Sequence, residues 1–372
     1  MPSNPLTLFI WHEVRTSGSD KNKVSLLLKD VMFRRPSFFR TTVSSLAFSF
    51  LMLLFLASSS PAQNIYYPLI NHFPLPKSAS LCNEPVPLEH RHVQEMLDRE
   101  FTIAVWYRAQ VFMWLKRAGR YFPFIERKLT DASMPLDLKY LAVAESNLLP
   151  TVRSRKGAVG TWQFIAKTAR LNGLRVDRTM DERRSLQRST EAAINYLGRL
   201  KGLFGTWTLA LAAYNCGEKT LEREIDEQQV VNYYRLNLPP ETERFIFRIV
   251  AIKIIMENPE RYGYNIAPQH LYEPIGFDTV RVTAKSSVHL ANIAQALDID
   301  FKVIKEMNLH ILGYQLPKGS YNFYVPPGLG PKVVEIIGRL GSVASFEKKA
   351  DSDRYLVFQP GDTKSSVAPS SH

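Results

Sequence analysis

The chain has 372 residues, 45% hydrophobic and 22% charged, with a formal net charge of +12. This is ordinary globular composition with room for one good core and a smaller unit, so a chain too polar to bury a core is excluded. The basic balance suits an anionic polymer or a membrane surface as well as nucleic acid.

The N-terminus departs from that average. "LAFSFLMLLFLA" (46–57) is an unbroken run of apolar and small residues, preceded by "MFRRPSFFRTT" with Arg34, Arg35 and Arg40 and followed by "SSSPAQ". A basic segment, a short apolar core and small residues ahead of Gln63 form a secretory signal. The run is short for a bilayer span. Residues 1–62 are therefore read as a signal peptide with an N-terminal extension, and Met32 is a candidate for the true start. No cysteine closes the apolar run, so the chain is not read as a lipoprotein. The expected location is exported, in the periplasm or cell envelope. Seven Lys/Arg against three Asp/Glu in 1–62 account for +4, which leaves about +8 on the exported part. Export argues against nucleic acid as a partner. It also allows a disulfide between Cys82 and Cys216, although nothing in the sequence shows that they meet.

Residues 63–88 are rich in Pro and Asn, lack a clear period and read as a linker. Helical signals then run through residues 89–268. "HVQEMLDREFTIAVWYRAQVFMWLKRAG" is a long pattern with one break, and "RYFPFIERKL" is a shorter one. "SMPLDLKYLAVAES" offers Ser133 as N-cap and Pro135 in the first turn. "TWQFIAKTARL", "STEAAINYLGRLKGLF", "WTLALAAYN" and "ETERFIFRIVAIKIIMEN" follow, with Gly157, Gly160, Gly173, Gly205 and Gly217 in the connections, where helices should stop. No strand alternation precedes Val280, so this domain is all-α.

Over 276–330 the pattern becomes strand–helix–helix–strand: "TVRVTA", "SVHLANIAQALDI", "DFKVIKEMN" and "YNFYVPP". "YLVFQPGDTKSSVA" (355–368) echoes its start and then ends, so 342–372 is expected to be a mostly disordered tail holding a truncated half-unit.

No HExxH, CxxC or Walker-type glycine loop is present, which leaves metal and nucleotide chemistry without a foothold; no cofactor and no metal site are expected. In "KYLAVAESNLL", Leu138, Leu141, Ala142 and Glu145 share one helical face, three apolar residues and a carboxylate. Burial there gives Glu145 a reason to keep its proton, because desolvation disfavours the charged form. The next acidic residue is Asp177, and the interval holds six Lys/Arg around "GTWQF". Trp162 and Gln163 pair a flat apolar ring with a two-way hydrogen-bonding amide, a combination suited to sugars. Singly, each feature has a plain structural reading: a stripe edge, a core tryptophan, and a helix end at "AAYNCG".

Together, "ES…S…GxxGxWQF…AYNxG…LPPET" resembles the lytic transglycosylases with a goose-lysozyme-like SLT catalytic fold, and most of all their membrane-bound D-type branch, over about residues 95–265. The unit at 276–330 resembles a divergent LysM module, which lacks the usual Gly-Asp-Thr. The resemblance implies a mainly α protein: a lysozyme-like all-α catalytic domain followed by a small α+β (βααβ) peptidoglycan-binding module. It makes Glu145 the catalytic acid/base and Ser146 its neighbour. Ser154 would approach the N-acetyl group and Gln163, with Trp162, would contact sugar. Tyr214 and Asn215 match Ala-Tyr-Asn, and Glu241 matches the Glu-Thr motif. Phe245 and Cys216 depart from the family pattern.

The implied partners are peptidoglycan glycan strands, with association with cell-wall synthesis enzymes compatible and a monomer expected. The implied reaction is cleavage of the MurNAc-β-1,4-GlcNAc bond with 1,6-anhydroMurNAc ends, one carboxyl serving as acid and then base. Two alternatives stand beside it: a hydrolytic muramidase using water, and an inactive peptidoglycan-binding protein that kept the fold.

Overall fold

The computed structural model describes residues 72–346. The signal segment, the Met32 start and the half-unit at 355–368 lie outside the described residues. Among the described residues no helix is long and apolar enough to cross a membrane.

The first ordered stretch corrects an expectation. Residues 72–88, read as part of a linker, pack onto the helical domain. Ser80–Leu81 (β1) and Glu84–Pro85 (β2) form a small antiparallel hairpin, with Leu81, Cys82 and Val86 buried. The Glu84 carboxylate accepts from the backbone N–H groups of Trp207 and Thr208 (3.0 Å for Thr208) and so caps a distant helix.

The helical domain follows as α1 (Arg91–Trp106), α2 (Arg108–Asp131), α3 (Lys139–Ser146), α4 (Ala166–Leu171), α5 (Leu186–Phe204), α6 (Trp207–Cys216), α7 (Glu218–Gln228) and α8 (Pro240–Glu257). The expected break falls at Tyr107. "RYFPFIERKL" does not form a separate helix: α2 runs through Pro123. Ser133 does not cap α3, because it sits at φ +53 and a short 3-10 turn precedes the helix. "TWQF" is likewise not helical; α4 starts only at Ala166. Helix α8 is apolar nearly all round and is buried accordingly, packed against α1, α3 and α6.

After the helical domain, Tyr272 N–H donates to Lys116 O (2.9 Å), and the chain runs close over Gly119, where a Cβ would meet Leu271 and Tyr272 O at 2.9 Å. The C-terminal unit contains the expected strand–helix–helix–strand: β3 (Asp278–Ala284), α9 (Leu290–Leu297), α10 (Phe301–Met307) and β6 (Gly319–Val325), with β4 (Val288–His289) and β5 (Gln315–Leu316) as a short ladder between them. It does not end at 330. Helix α11 (Gly330–Arg339) buries Val333 and Ile337 one turn apart, and β7 (Val343–Phe346) pairs with β3, giving the antiparallel order β6-β3-β7. The first residues of the expected tail are thus a sheet edge.

This unit has its own core and is tied to the helical domain through the loop around Met180. Met180 lies among the buried side chains of the C-terminal unit and bridges to Ile311. Asp181 N–H donates to His310 O (2.8 Å), and Leu312 N–H to Thr179 O (2.9 Å). Burial holds the His310 imidazole down to about 4, so it is neutral at this seam.

Candidate active site

Helix α3 presents Glu145 as the sequence pattern requires, with Leu138, Leu141 and Ala142 buried behind it. The helix stops at once, because Asn147 and Leu148 both take left-handed backbone (φ +55 and +59). Two such residues in succession store strain, and neighbours must hold them. Trp114 Nε1–H donates to Asn147 Oδ1 (2.7 Å), and Arg117 donates to Asn147 O (3.1 Å).

The Glu145 carboxyl is half-buried and makes no hydrogen bond or ion pair among the described residues. Burial pushes it up to about 8; the Arg248 guanidinium pulls it down and the Glu241 carboxylate pushes it up. Arg248 is in turn paired to buried Glu100 at 3.5 Å. Neither Arg248 nor Glu100 carried a signal in the sequence beyond helical amphipathicity.

Ser146 is buried, its hydroxyl 3.0 Å from Ala142 O and 2.8 Å from Thr161 O, so it ties α3 to the "GTWQF" turn. The same turn is held from α6: Tyr214 OH donates to Trp162 O at 2.6 Å. Burial and the Glu145 carboxylate keep the Tyr214 phenol well above its usual range.

Trp162 corrects an expectation. Its ring is fully buried and its Nε1–H donates to Thr190 Oγ1 (2.9 Å), so it is a core post under the turn with no face to offer a sugar. Gln163 sits at φ +47 beside it. Its Nε2 donates to Gly160 O (2.7 Å) and Val152 O (3.3 Å), while its Oε1 has no partner among the described residues.

Ser154 Oγ accepts from Ala158 N–H (3.1 Å), which leaves its hydroxyl hydrogen to donate elsewhere. Asn215 Oδ1 accepts from Thr242 Oγ1 (2.8 Å), joining α6 to the start of α8. Glu241 is exposed and lies 3.5 Å from Lys156 of the basic loop. Of the two departures from the family pattern, Phe245 is buried and Cys216 half-buried at the end of α6; Cys82 and Cys216 are both free thiols.

Sequence reasoning missed what braces the loop carrying Ser154 and Gln163. Buried Arg183 grips Asp181 with Nε and Nη2 (2.7 and 2.8 Å), while its Nη1 donates to Gly157 O and Phe164 O, 3.0 Å each. Gly160 at φ +88 lies so close that a Cβ would fall 1.9 Å from Arg183 O. The geometry therefore gathers one elevated carboxyl, a rim carboxylate and unspent polar groups around a rigid loop. That set can donate a proton and then recover one.

The chain is similar in sequence to known proteins. Residues 122–237 match the transglycosylase SLT domain family. The chain is 30% identical over 264 residues to membrane-bound lytic murein transglycosylase D of Escherichia coli (strain K12), an alignment covering 68% of this chain and 57% of that protein. The chain thus spans little more than half the length of that relative. It is 40% identical over 86 residues to peptidoglycan transglycosylase gp16 of Escherichia phage T7, covering 23% of this chain and 6% of that one. A solved lytic transglycosylase Slt from Pseudomonas aeruginosa, an inactive mutant, is similar at TM-score 0.29 and 15% identity, covering 40% of this chain and 26% of that one. The chain therefore carries, over residues 122–237, a domain of the transglycosylase SLT family.

Proposed function

We propose that the chain is an exported peptidoglycan lytic transglycosylase of the cell envelope that cleaves the MurNAc-β-1,4-GlcNAc bond and leaves 1,6-anhydroMurNAc ends. The observation that carries this reading is a carboxyl with no hydrogen-bond partner, raised by burial to about 8 and so protonated at neutral pH. Glu145 donates its proton to the glycosidic oxygen. The substrate's N-acetyl group stabilises the developing positive charge, and the free hydroxyl hydrogen of Ser154 is the group to orient it. The Glu145 carboxylate then takes the proton of the MurNAc C6 hydroxyl, and the anhydro ring closes. A second protein carboxylate is unnecessary, because the substrate supplies the nucleophile. Glu241 acts through its field, held at the rim by Lys156.

Mass spectrometry of muropeptides released from sacculi tests this. The expected product is the anhydro form. A product one water heavier assigns hydrolysis instead, and no release at all leaves a binding protein.

The C-terminal unit, in the same reading, is a LysM-like module that holds the glycan. His289, Phe301 and Tyr314 form an aromatic cluster (Phe301–Tyr314 centroids 5.5 Å apart), and Tyr314 is 63% exposed. Ser287 donates to Gln315 Oε1 (2.8 Å) close by. Tyr314→Ser in the full chain should lower co-pelleting with sacculi several-fold; unchanged pelleting removes this role from the cluster.

A further inference from the structure

The elbow between α1 and α2 exposes three large apolar side chains together: Ile103 (53%), Trp106 (39%) and Tyr107 (60%). Nothing in the catalytic reading uses them. Single exposed apolar residues need no explanation, but a contiguous set does. The composition is also specific, since tryptophan and tyrosine carry a polar group on an apolar body and favour membrane–water boundaries.

Two further observations say what covers this patch. The first is where the chain enters. Phe73 stands beside Trp106, ring centroids 5.8 Å apart, and also meets Tyr262 edge-on at 5.9 Å. The sequence up to Phe73 reads "NIYYPLINHF" (64–73), holding Ile65, Tyr66, Tyr67, Leu69 and Ile70 and no charge other than that of a protonated histidine. By composition that sequence is apolar and aromatic.

The second observation is the charge around the patch. Arg108 follows Tyr107, stacks on Tyr264 (5.2 Å) and donates to Gly263 O (3.1 Å); Arg261 lies over Tyr262 (6.0 Å). Both are exposed, and neither has a carboxylate partner among the described residues. Aromatic and aliphatic groups flanked by unpaired guanidinium groups match an anionic lipid surface, where each cation near the headgroups adds attraction.

We propose that this elbow is a membrane-docking surface: Ile103, Trp106 and Tyr107 enter the headgroup region of an anionic bilayer, with Arg108 and Arg261 at the phosphates. None of these five residues is used in the catalytic reading, so docking and catalysis should fail separately.

The test uses the full chain with vesicles of phosphatidylglycerol and phosphatidylcholine, compared with phosphatidylcholine alone. With brominated lipid, the wild type should lose a component of tryptophan emission that Trp106→Phe lacks, and more strongly on the anionic vesicles. The double variant Ile103→Ser/Tyr107→Ser should partition roughly tenfold less onto the anionic vesicles, the size expected from no longer burying a few methylene equivalents. Its release of muropeptides from sacculi should match wild type, which also shows that it is folded. Equal quenching in wild type and Trp106→Phe overturns the proposal. So does unchanged partitioning of the double variant, whether lipid never reaches the elbow or residues 64–70 of the chain itself cover it.

Discussion

Glu145→Gln should lower the release of anhydromuropeptides by on the order of 10²–10⁴-fold, the range that general acid–base help supplies. Glutamine keeps the shape and can still hydrogen-bond, so sugar binding should survive and the loss should fall on kcat. The wild-type kcat/KM should decline as pH rises through about 8, because the acid must carry its proton, and the variant's residual rate should lack that limb. The same group predicts a stability difference. Its folded pKa lies above the ordinary 4.5, so the stability it contributes is fully present below the ordinary carboxylate range and is lost as pH rises towards 8. Thermal unfolding of the variant should therefore gain on wild type between those limits. A variant with wild-type activity would remove Glu145 from the mechanism.

The second large effect is expected at Arg183, which touches no proposed substrate group. Arg183→Met should cost about 3–5 kcal/mol, because it removes the guanidinium's two close hydrogen bonds to the buried Asp181 carboxylate and leaves Arg184, at 4.0 Å, as its nearest cation. It also removes the side-chain donor from Gly157 O and from Phe164 O, leaving Phe164 O only the Val159 N–H. Urea unfolding reads the first part. The second should appear as a KM increase in the fraction that remains folded, since those carbonyls belong to the same loop as Ser154 and Gln163. Arg183→Lys should recover little, because a point charge cannot span the carboxylate and both carbonyls as the guanidinium fork does. If the methionine variant unfolds within about 1 kcal/mol of wild type, the brace carries no more weight than an ordinary surface pair.

These two residues mark how far the site could be read from sequence. Glu145 was visible because helical periodicity places it with Leu138, Leu141 and Ala142, and all three are buried. Ser146, Ser154, Gln163, Tyr214 and Asn215 were legible only through the family pattern, and the structure brings most of them together by ties from side chain to backbone. Trp162 was misread because an aromatic beside an amide suits both a sugar platform and a core post. Only the partner of its indole N–H separates these, and Thr190 is 28 residues away. Nothing in "DERRS" marks Arg183, since a charged run usually reads as a solvated face. The left-handed backbone at Asn147, Leu148 and Gln163 was hidden for a similar reason, because no glycine announces it. The hairpin at 80–85 was missed because two-residue strands leave no alternation, and the helix Glu84 caps lies more than a hundred residues downstream.

The position of Met180 bears on how such a protein can be inherited. In sequence it belongs to the helical domain; in space it is part of the other unit's interior, so separating the two would open that interior. Recombination could not exchange the C-terminal unit as an independent cassette unless the 175–185 loop travelled with it or its new neighbour offered an equivalent plug. Arg183 is on that loop. Lineages that keep this module should therefore show linked change between its underside and the loop bracing the active site.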